Sequence, residues 1–456
     1  MSSSLFERVL ADAAAEAPFS NATLLAAMLR FEVALAQAQA RSGVIPADAA
    51  ATIRAQSATF SIDADRLLRD GAHAGSLAIP LVKALIAHVA SHDATAAHHV
   101  HSGATSQDVL DTALVLCTRD ALVLLTDALV RAIQGARALA ARHAQTPLLA
   151  RSLMQPAGVT TFGFKAAQWA LSLWHTLARV RRSASQALAV SFGGAIGNLA
   201  AQGAAGEAVR AELARELGLR DPGASWHTQR ETWLGLATDT ALAAGVMGKI
   251  ARDIALMAQA EVGEVAEAEV AGRGGSTAMP HKRNPVLTMR VIAAVHAIPG
   301  MVANLLAAMP QEHERALGSW QAELAQWPDL FIHAVTGARA LEELLAGLQV
   351  DVPRCRANIE SLHGVIFAER LAEIFTPALG RTEAQALVAD LCRRATGERR
   401  QLRDLALERV GTDARLAACP APDVEATFDV DRAAQASARQ VEPTLKSALS
   451  AENTDG

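Results

Sequence analysis

The chain has no tyrosine and few other aromatics, with six tryptophans and 11 phenylalanines in 456 residues. Strands draw on aromatic and β-branched side chains, so a β sandwich fits poorly. A sequence that is 51% hydrophobic with a mean hydropathy of +0.18 suits alanine- and leucine-rich helices packed into a large interior. Cysteine is scarce as well: Cys117, Cys355, Cys392 and Cys419 are widely spaced, form no Cys-x-x-Cys pair, and read as free thiols of a reducing compartment. Positive charge is not in surplus. The net charge of −5 and pI near 6.3 leave no global basic surface, which excludes nucleic acid as an expected partner. Val291 to Met309, the most apolar stretch, holds His296, Pro299 and Asn304 and follows Arg290, so it predicts a buried core helix and no membrane span. Met1 to Ser20 has Glu7, Arg8 and Asp12 among its apolar residues and is no signal peptide. These features together predict a cytoplasmic protein without membrane contact.

What the chain does have is organised around Gly272 to Leu287, Gly-Arg-Gly-Gly-Ser-Thr-Ala-Met-Pro-His-Lys-Arg-Asn-Pro-Val-Leu. Glycine tolerates backbone angles that other residues avoid, so Gly274 and Gly275 suit a mobile loop that closes on substrate and delivers one hydroxyl, Ser276, and one cation. A serine is a poor base unless its alkoxide is stabilised. Loop N–H groups, Lys282 and the start of the helix after Pro285 are the available help. No Gly-x-Ser-x-Gly elbow surrounds Ser276, which argues against acyl transfer. A flexible, solvated connection between helices is the competing reading of the same string.

Helical spacing is plain elsewhere. Leu24 to Ser42 repeats apolar residues and stops at Gly43, a second helix follows Pro46, Asp70 to Ser76 reads as a glycine-containing loop, and Ile79 to Val89 is helical again. No proline occurs between Pro80 and Pro147, and Leu110, Leu114, Cys117, Ala121 and Leu124 recur at spacings of four and three, the seam of a bundle helix. Beyond Pro353 a smaller helical region begins, in which Thr382 and Gln385 stand at the spacing of a capping box. Asp429 to Gln440 reads as helical and Ala451 to Gly456 as a frayed tail. The expected architecture is all-α, in three helical domains: an N-terminal domain over 1–105, a central domain of very long helices over 106–350, and a C-terminal domain over 351–456.

Two polar blocks precede long helices. In the first, His98 to Asp108, Thr105 or Ser106 can cap the helix, while His101, Thr105, Ser106 and Gln107 can donate hydrogen bonds to an anionic ligand at its N-terminus. A metal held by His98 and His101 near Asp93 is the weaker reading, because no partner cluster appears elsewhere. The second block, Arg151 to Gly163, precedes a helix over Phe164 to Leu188 and reads otherwise as a connecting loop. Trp226-His-Thr-Gln-Arg230 and His313-Glu-Arg315-Ala-Leu-Gly put cations beside polar residues, although each alone could serve a salt bridge between helices.

The Ser276 to Pro285 string resembles the signature of the fumarase/aspartase superfamily, in which the catalytic serine lies six residues before the lysine; Thr277 replaces the usual second serine and keeps the hydroxyl. The block around Thr105 and Ser106 is similar to the first signature region of that superfamily, which contacts a substrate carboxylate. In the second region many members carry Thr-His-x-Gln, with the histidine proposed as general acid, where this chain has Ser152, Leu153 and Gln155. Expelling an amine benefits from such an acid, whereas a carboxylate leaving group does not need one. With the glycine-rich Ser191 to Leu199, the tryptophan–histidine and histidine–glutamate–arginine blocks, and coverage of about residues 70 to 390, the sequence resembles the 3-carboxy-cis,cis-muconate cycloisomerase family within that superfamily.

The resemblance implies a small tricarboxylate substrate and an intramolecular lyase reaction of protocatechuate degradation by the β-ketoadipate route. It implies a homotetramer whose long helices form one shared core and whose active sites gather regions from three subunits. Ser276 and Lys282 would be catalytic; His101, Thr105, Ser106, Gln155, Arg230, Thr277, Met279, Asn284 and Arg315 would bind substrate. Neither a metal nor an organic cofactor is required. An adenylosuccinate- or argininosuccinate-type carbon–nitrogen lyase is the alternative, and a non-catalytic protein that merely keeps the fold is a third reading. The intact Ser276, Lys282 and Asn284 argue against the third.

Overall fold

The structure, a computed structural model, describes residues 12–450. Most of the N-terminal stretch read as no signal peptide, and the tail from Ala451 to Gly456, lie outside those residues. The fold is all-α, as expected. Its long helices are α1 (Asn21–Arg41), α2 (Ser106–Arg142), α3 (Phe162–Ala187), α4 (Glu231–Met257), α5 (Val286–Ala307), α6 (Ser319–Gly347) and, near the C-terminal end, Val430–Ser450, joined by shorter helices and an antiparallel hairpin, β1 (Pro147–Ser152) with β2 (Gln155–Thr161). The chain divides into two compact units, one of Met1–Ala128, Thr176–Gly248 and Arg290–Arg339, the other of Leu129–His175, Lys249–Met289 and Ala340–Gly456.

Local chemistry explains where the elements begin and end. The Ser20 hydroxyl accepts from the Thr23 amide at 3.2 Å to open α1, and Gly43 follows its end at φ 71°, a left-handed position that glycine occupies without steric penalty. The loop expected over Asp70 to Ser76 is instead mostly helix, part of Ala64–Ala74. Asp63 caps that helix from below, and Gly71 packs so closely that a Cβ would stand 2.7 Å from Leu77. The left-handed stop is Gly75, at φ 75°. The capping box at Thr382 is also absent: Gly380 turns the chain sharply after Leu379, so the helix Arg381–Glu398 starts before Thr382 can serve as its cap. The helix expected after Asp429 is present as Val430–Ser450, with the Asp429 carboxylate accepting from the amides of Asp431 and Arg432.

The first unit gathers five of the few aromatics into one column. Trp233 stacks on Trp327 with ring centroids 3.8 Å apart, flanked by Trp226, Phe331 and Phe19, and the Trp327 indole donates to the Thr118 hydroxyl at 2.8 Å. A chain with so few large rings thus spends five on one column, where burial and offset stacking add together. The stretch expected as a core helix is α5, which buries Leu287, Val291, Ile298 and Leu305 but leaves Met289 and Leu306 exposed. By length and composition α1, with the residues before it, and α5 could cross a membrane; 44% and 39% of their apolar windows are buried within the chain.

Candidate active site

In the first unit the site is built on the first turn of α2. Asp108 is fully buried, and its carboxylate accepts from four donors: the amides of Thr105 at 2.9 Å, Gly193 at 3.0 Å and Gly194 at 3.0 Å, and the His227 ring at 2.7 Å. One acidic side chain therefore ties the helix start to the glycine-rich loop and to the tryptophan–histidine block. It holds the residue before the helix by its amide, while the hydroxyls of Thr105 and Ser106 do other work. They accept from Arg315, at 2.5 Å for Thr105 and 3.1 Å for Ser106, and the same guanidinium reaches Gln107 at 3.3 Å. A half-buried cation held by two hydroxyls at a helix N-terminus makes a corner with the chemistry to accept an anion.

His101 borders this corner. It adopts φ 59°, rare for a residue with a side chain, and its Nδ1 lies 2.7 Å from the Glu32 carboxylate. Burial lowers the basicity of this ring, but the charge and hydrogen bond of Glu32, aided by Asp108, raise it by more.

Arg230, expected to bind substrate, does not fit that role. It is 1% exposed, its guanidinium is committed to Asp111 and Glu323, and it lies 4.5 Å from the Trp226 ring. Asp111 also accepts from the Trp320 indole at 2.9 Å. The residue-type pattern was right about a cation among polar groups and wrong about its direction, because the carboxylates that claim it come from distant positions in the sequence.

In the second unit the glycine–serine loop carries Ser276, Thr277, Met279, Lys282 and Asn284. The Ser276 hydroxyl accepts from the amides of Met279 at 3.1 Å and Ala278 at 3.4 Å, so two N–H groups point at its oxygen, an arrangement that would stabilise negative charge there. Lys282 and Thr277 are exposed and Asn284 half-buried. The base of the loop is closed twice. The Asn284 amide donates to the Gly274 carbonyl at 2.8 Å, and the Glu267 carboxylate accepts from the amides of Leu287 at 3.1 Å and Thr288 at 2.8 Å, capping α5.

Gly274 sits at φ 74°, where an added Cβ would lie 2.5 Å from the Asn284 carbonyl oxygen, whereas Gly275 has open space around it. We expect Gly274→Ala to displace the Ser276–Lys282 segment and lower kcat roughly a hundred-fold, as small misplacements of reacting groups do. Gly275→Ala should stay near parental activity, and steady-state kinetics on the two variants checks the contrast.

Arg151 to Gly163, similar to the second signature region and otherwise a plain connecting loop by sequence, is largely the β1–β2 hairpin. Its two-residue tip, Leu153 and Met154, takes left-handed angles of 50° and 66°, as such tight hairpins require, yet with bulky residues where glycine or asparagine is usual. The side chains are 94% and 67% exposed. Gln155 follows, exposed at the start of β2, and the Arg151 guanidinium grips Glu264 with two bonds of 2.9 and 2.7 Å.

Glu32, Asp108, Asp111, Glu267 and Glu323 were not singled out from sequence. Glu32 left a trace, since it interrupts the apolar stripe of α1 between Met28 and Leu35.

A sequence model of a family described as "Lyase" matches residues 8–300. A 3-carboxy-cis,cis-muconate cycloisomerase of Pseudomonas aeruginosa is 45% identical over 414 residues, 91% of this chain and 89% of that protein. A nitrosuccinate lyase of Streptomyces davaonensis is 41% identical over 398 residues, 85% of this chain and 83% of that protein. The crystal structure of 3-carboxy-cis,cis-muconate lactonizing enzyme from Pseudomonas putida superposes with a TM-score of 0.90 at 36% identity, covering 98% of this chain and 99% of that one.

Proposed function

The chain belongs to the lyase family of the fumarase/aspartase superfamily, and from that premise we propose that it is an intramolecular lyase that closes 3-carboxy-cis,cis-muconate to 4-carboxymuconolactone. The observation that carries this is the pairing of an amide-cradled Ser276 with an exposed Leu153 where a general-acid histidine stands in many members. A reaction whose leaving group, read in reverse, is a carboxylate needs the first and can dispense with the second.

In the forward direction the distal carboxylate of the substrate adds to the ring-closing carbon that bears the 3-carboxyl group. Electron density moves onto the neighbouring carboxylate as an aci-form, and the carbon next to that carboxylate takes a proton. Ser276 supplies this proton, and in reverse its alkoxide, stabilised by the Ala278 and Met279 amides and by the positive field of Lys282, removes it. Lys282 and Asn284 hold the carboxylate on which charge develops, with Thr277 and Met279 beside them on the loop. His101, Thr105, Ser106 and Arg315 hold another carboxylate, and Gln155 orients the substrate from the hairpin. In this reading the loop and the corner come to one active site from different subunits, and Lys282 on the one and Arg315 on the other match the charge of a small tricarboxylate.

The chain is read as a homotetramer organised as the three segments 1–105, 106–350 and 351–456, acting in the cytoplasm. The exposed Met289 and Leu306 of α5, Leu242 and Leu256 of α4, and the strained, exposed hairpin tip support burial against other copies. The four unpaired cysteines suit a reducing compartment.

Purified enzyme mixed with 3-carboxy-cis,cis-muconate should bleach the conjugated-diene absorbance and yield the lactone. A second reading, elimination from a substituted succinate, is favoured by the nitrosuccinate lyase relative. An unchanged spectrum from a folded tetramer that instead turns over nitrosuccinate would establish that second reading.

A further inference from the structure

Helix α1 faces the first active-site block with two polar residues in an apolar stripe, Glu32 and Gln39, seven residues apart and so two turns along one face. Both are buried, and both hold the turn at His101 and Ser102. Gln39 donates to the Ser102 carbonyl at 2.7 Å and to Gln202 at 3.1 Å, and Gln202 donates to the same carbonyl at 2.9 Å. Glu32 meets His101 Nδ1 at 2.7 Å through one oxygen, while the other, Oε2, is buried with no hydrogen-bond partner. A buried carboxylate with an idle oxygen is costly, and a histidine held in the left-handed region is strained. Packing alone accounts for neither.

We propose that Glu32 is a positioning residue, which fixes the His101 ring through Nδ1 and keeps it an imidazolium whose Nε2–H is offered to a substrate carboxylate. This rests on the reading of the first block as an anion-binding corner. A buried carboxylate acting on one imidazole nitrogen sets the direction and charge of the other. The charged groups acting on His101 are Glu32 on α1 and Asp108 on α2, and Arg315 is held by Thr105 and Ser106 of the same segment. The gain in basicity means that the ion pair stabilises the fold fully below the unfolded histidine value and is lost as pH rises through the higher folded value.

The test follows His101 directly. Diethyl pyrocarbonate modifies neutral imidazole, so its rate of reaction at His101, read by mass spectrometry with fragment ions that separate it from His98 and His99, traces the titration of this ring. In the parent the midpoint should lie above that of free histidine, and in Glu32→Gln it should move to lower pH. The same variant should lose roughly ten- to a hundred-fold in kcat/KM, chiefly through KM, as expected for a charge-assisted hydrogen bond. Its kcat/KM should also begin to fall at lower pH than in the parent. His101→Gln should show a similar loss, and the double variant should be no worse than His101→Gln alone. An unmoved midpoint in Glu32→Gln, or additive losses in the double variant, overturns the proposal. Should Glu32→Gln not fold, Glu32→Asp, which keeps the charge but draws it back, should give an intermediate midpoint; an unmoved one again overturns it. Because the labelling needs no substrate, it tests Glu32 even if the cycloisomerase reading fails.

Discussion

Ser276→Ala should lower kcat roughly 10²- to 10⁴-fold, the range that a positioned proton-transfer group contributes, while the protein stays folded. The hydroxyl is on a loop whose backbone shape is set by the Gly274–Asn284 contact and by Glu267, so its removal leaves the loop's closure intact. The Ala278 and Met279 amides lose their acceptor, but they are exposed and water replaces it. KM should change far less than kcat, because the proposed mechanism gives the ground-state carboxylate to Lys282 and Asn284 and not to Ser276. Thr277→Ala, one residue on and not cradled by those amides, should cost much less. Burst and steady-state measurements on both variants, with circular dichroism to verify folding, separate the two. A Ser276→Ala enzyme as fast as its parent would remove the proposed proton transfer.

Much of this was legible in the sequence, for identifiable reasons. The all-α architecture followed from proline-free apolar repeats such as Leu110 to Leu124, because a 3.6-residue period is a local property. The glycine–serine loop was legible because its contacts are local, and the structure gives Ser276 the loop amide donors that the string suggested. What the sequence hid depends on partners far along the chain. Asp70 to Ser76 looked like a loop because Gly71 was read as freedom, when its lack of a side chain serves close packing against Leu77. The Leu153–Met154 tip was invisible because nothing in those residue types signals left-handed angles. Arg230 looked like a ligand for substrate because its claimants, Asp111 and Glu323, are 119 and 93 residues away.

That buried cluster carries the second large effect. Arg230→Met keeps most of the side chain's volume but leaves Asp111 and Glu323 buried with no cation between them, and should cost roughly 3 to 5 kcal/mol, as removing one partner of a buried ion pair does. The pH dependence gives the sign. Burial pushes the Glu323 carboxyl up even with Arg230 in place, the guanidinium opposing it, so losing the cation drives the carboxyl further in the same direction. A carboxyl with a raised folded value holds its proton more tightly in the folded than in the unfolded state. The variant's stability therefore falls as pH rises through the unfolded carboxylate range toward the folded value, and recovers as pH drops and Glu323 becomes neutral. Urea unfolding of parent and variant across acidic to neutral pH should show a deficit that narrows at low pH. Arg230→Lys should lie between them, since one ammonium cannot reproduce the guanidinium's separate faces to Asp111 and Glu323. A deficit of constant size at every pH would mean that lost packing, not the stranded charges, destabilises the variant. Arg230 reaches the corner at Arg315 only through Asp111, which accepts from the Gln107 side-chain amide at 3.2 Å, so whatever fraction of Arg230→Met stays folded should keep a KM nearer the parental value than an Arg315 variant does.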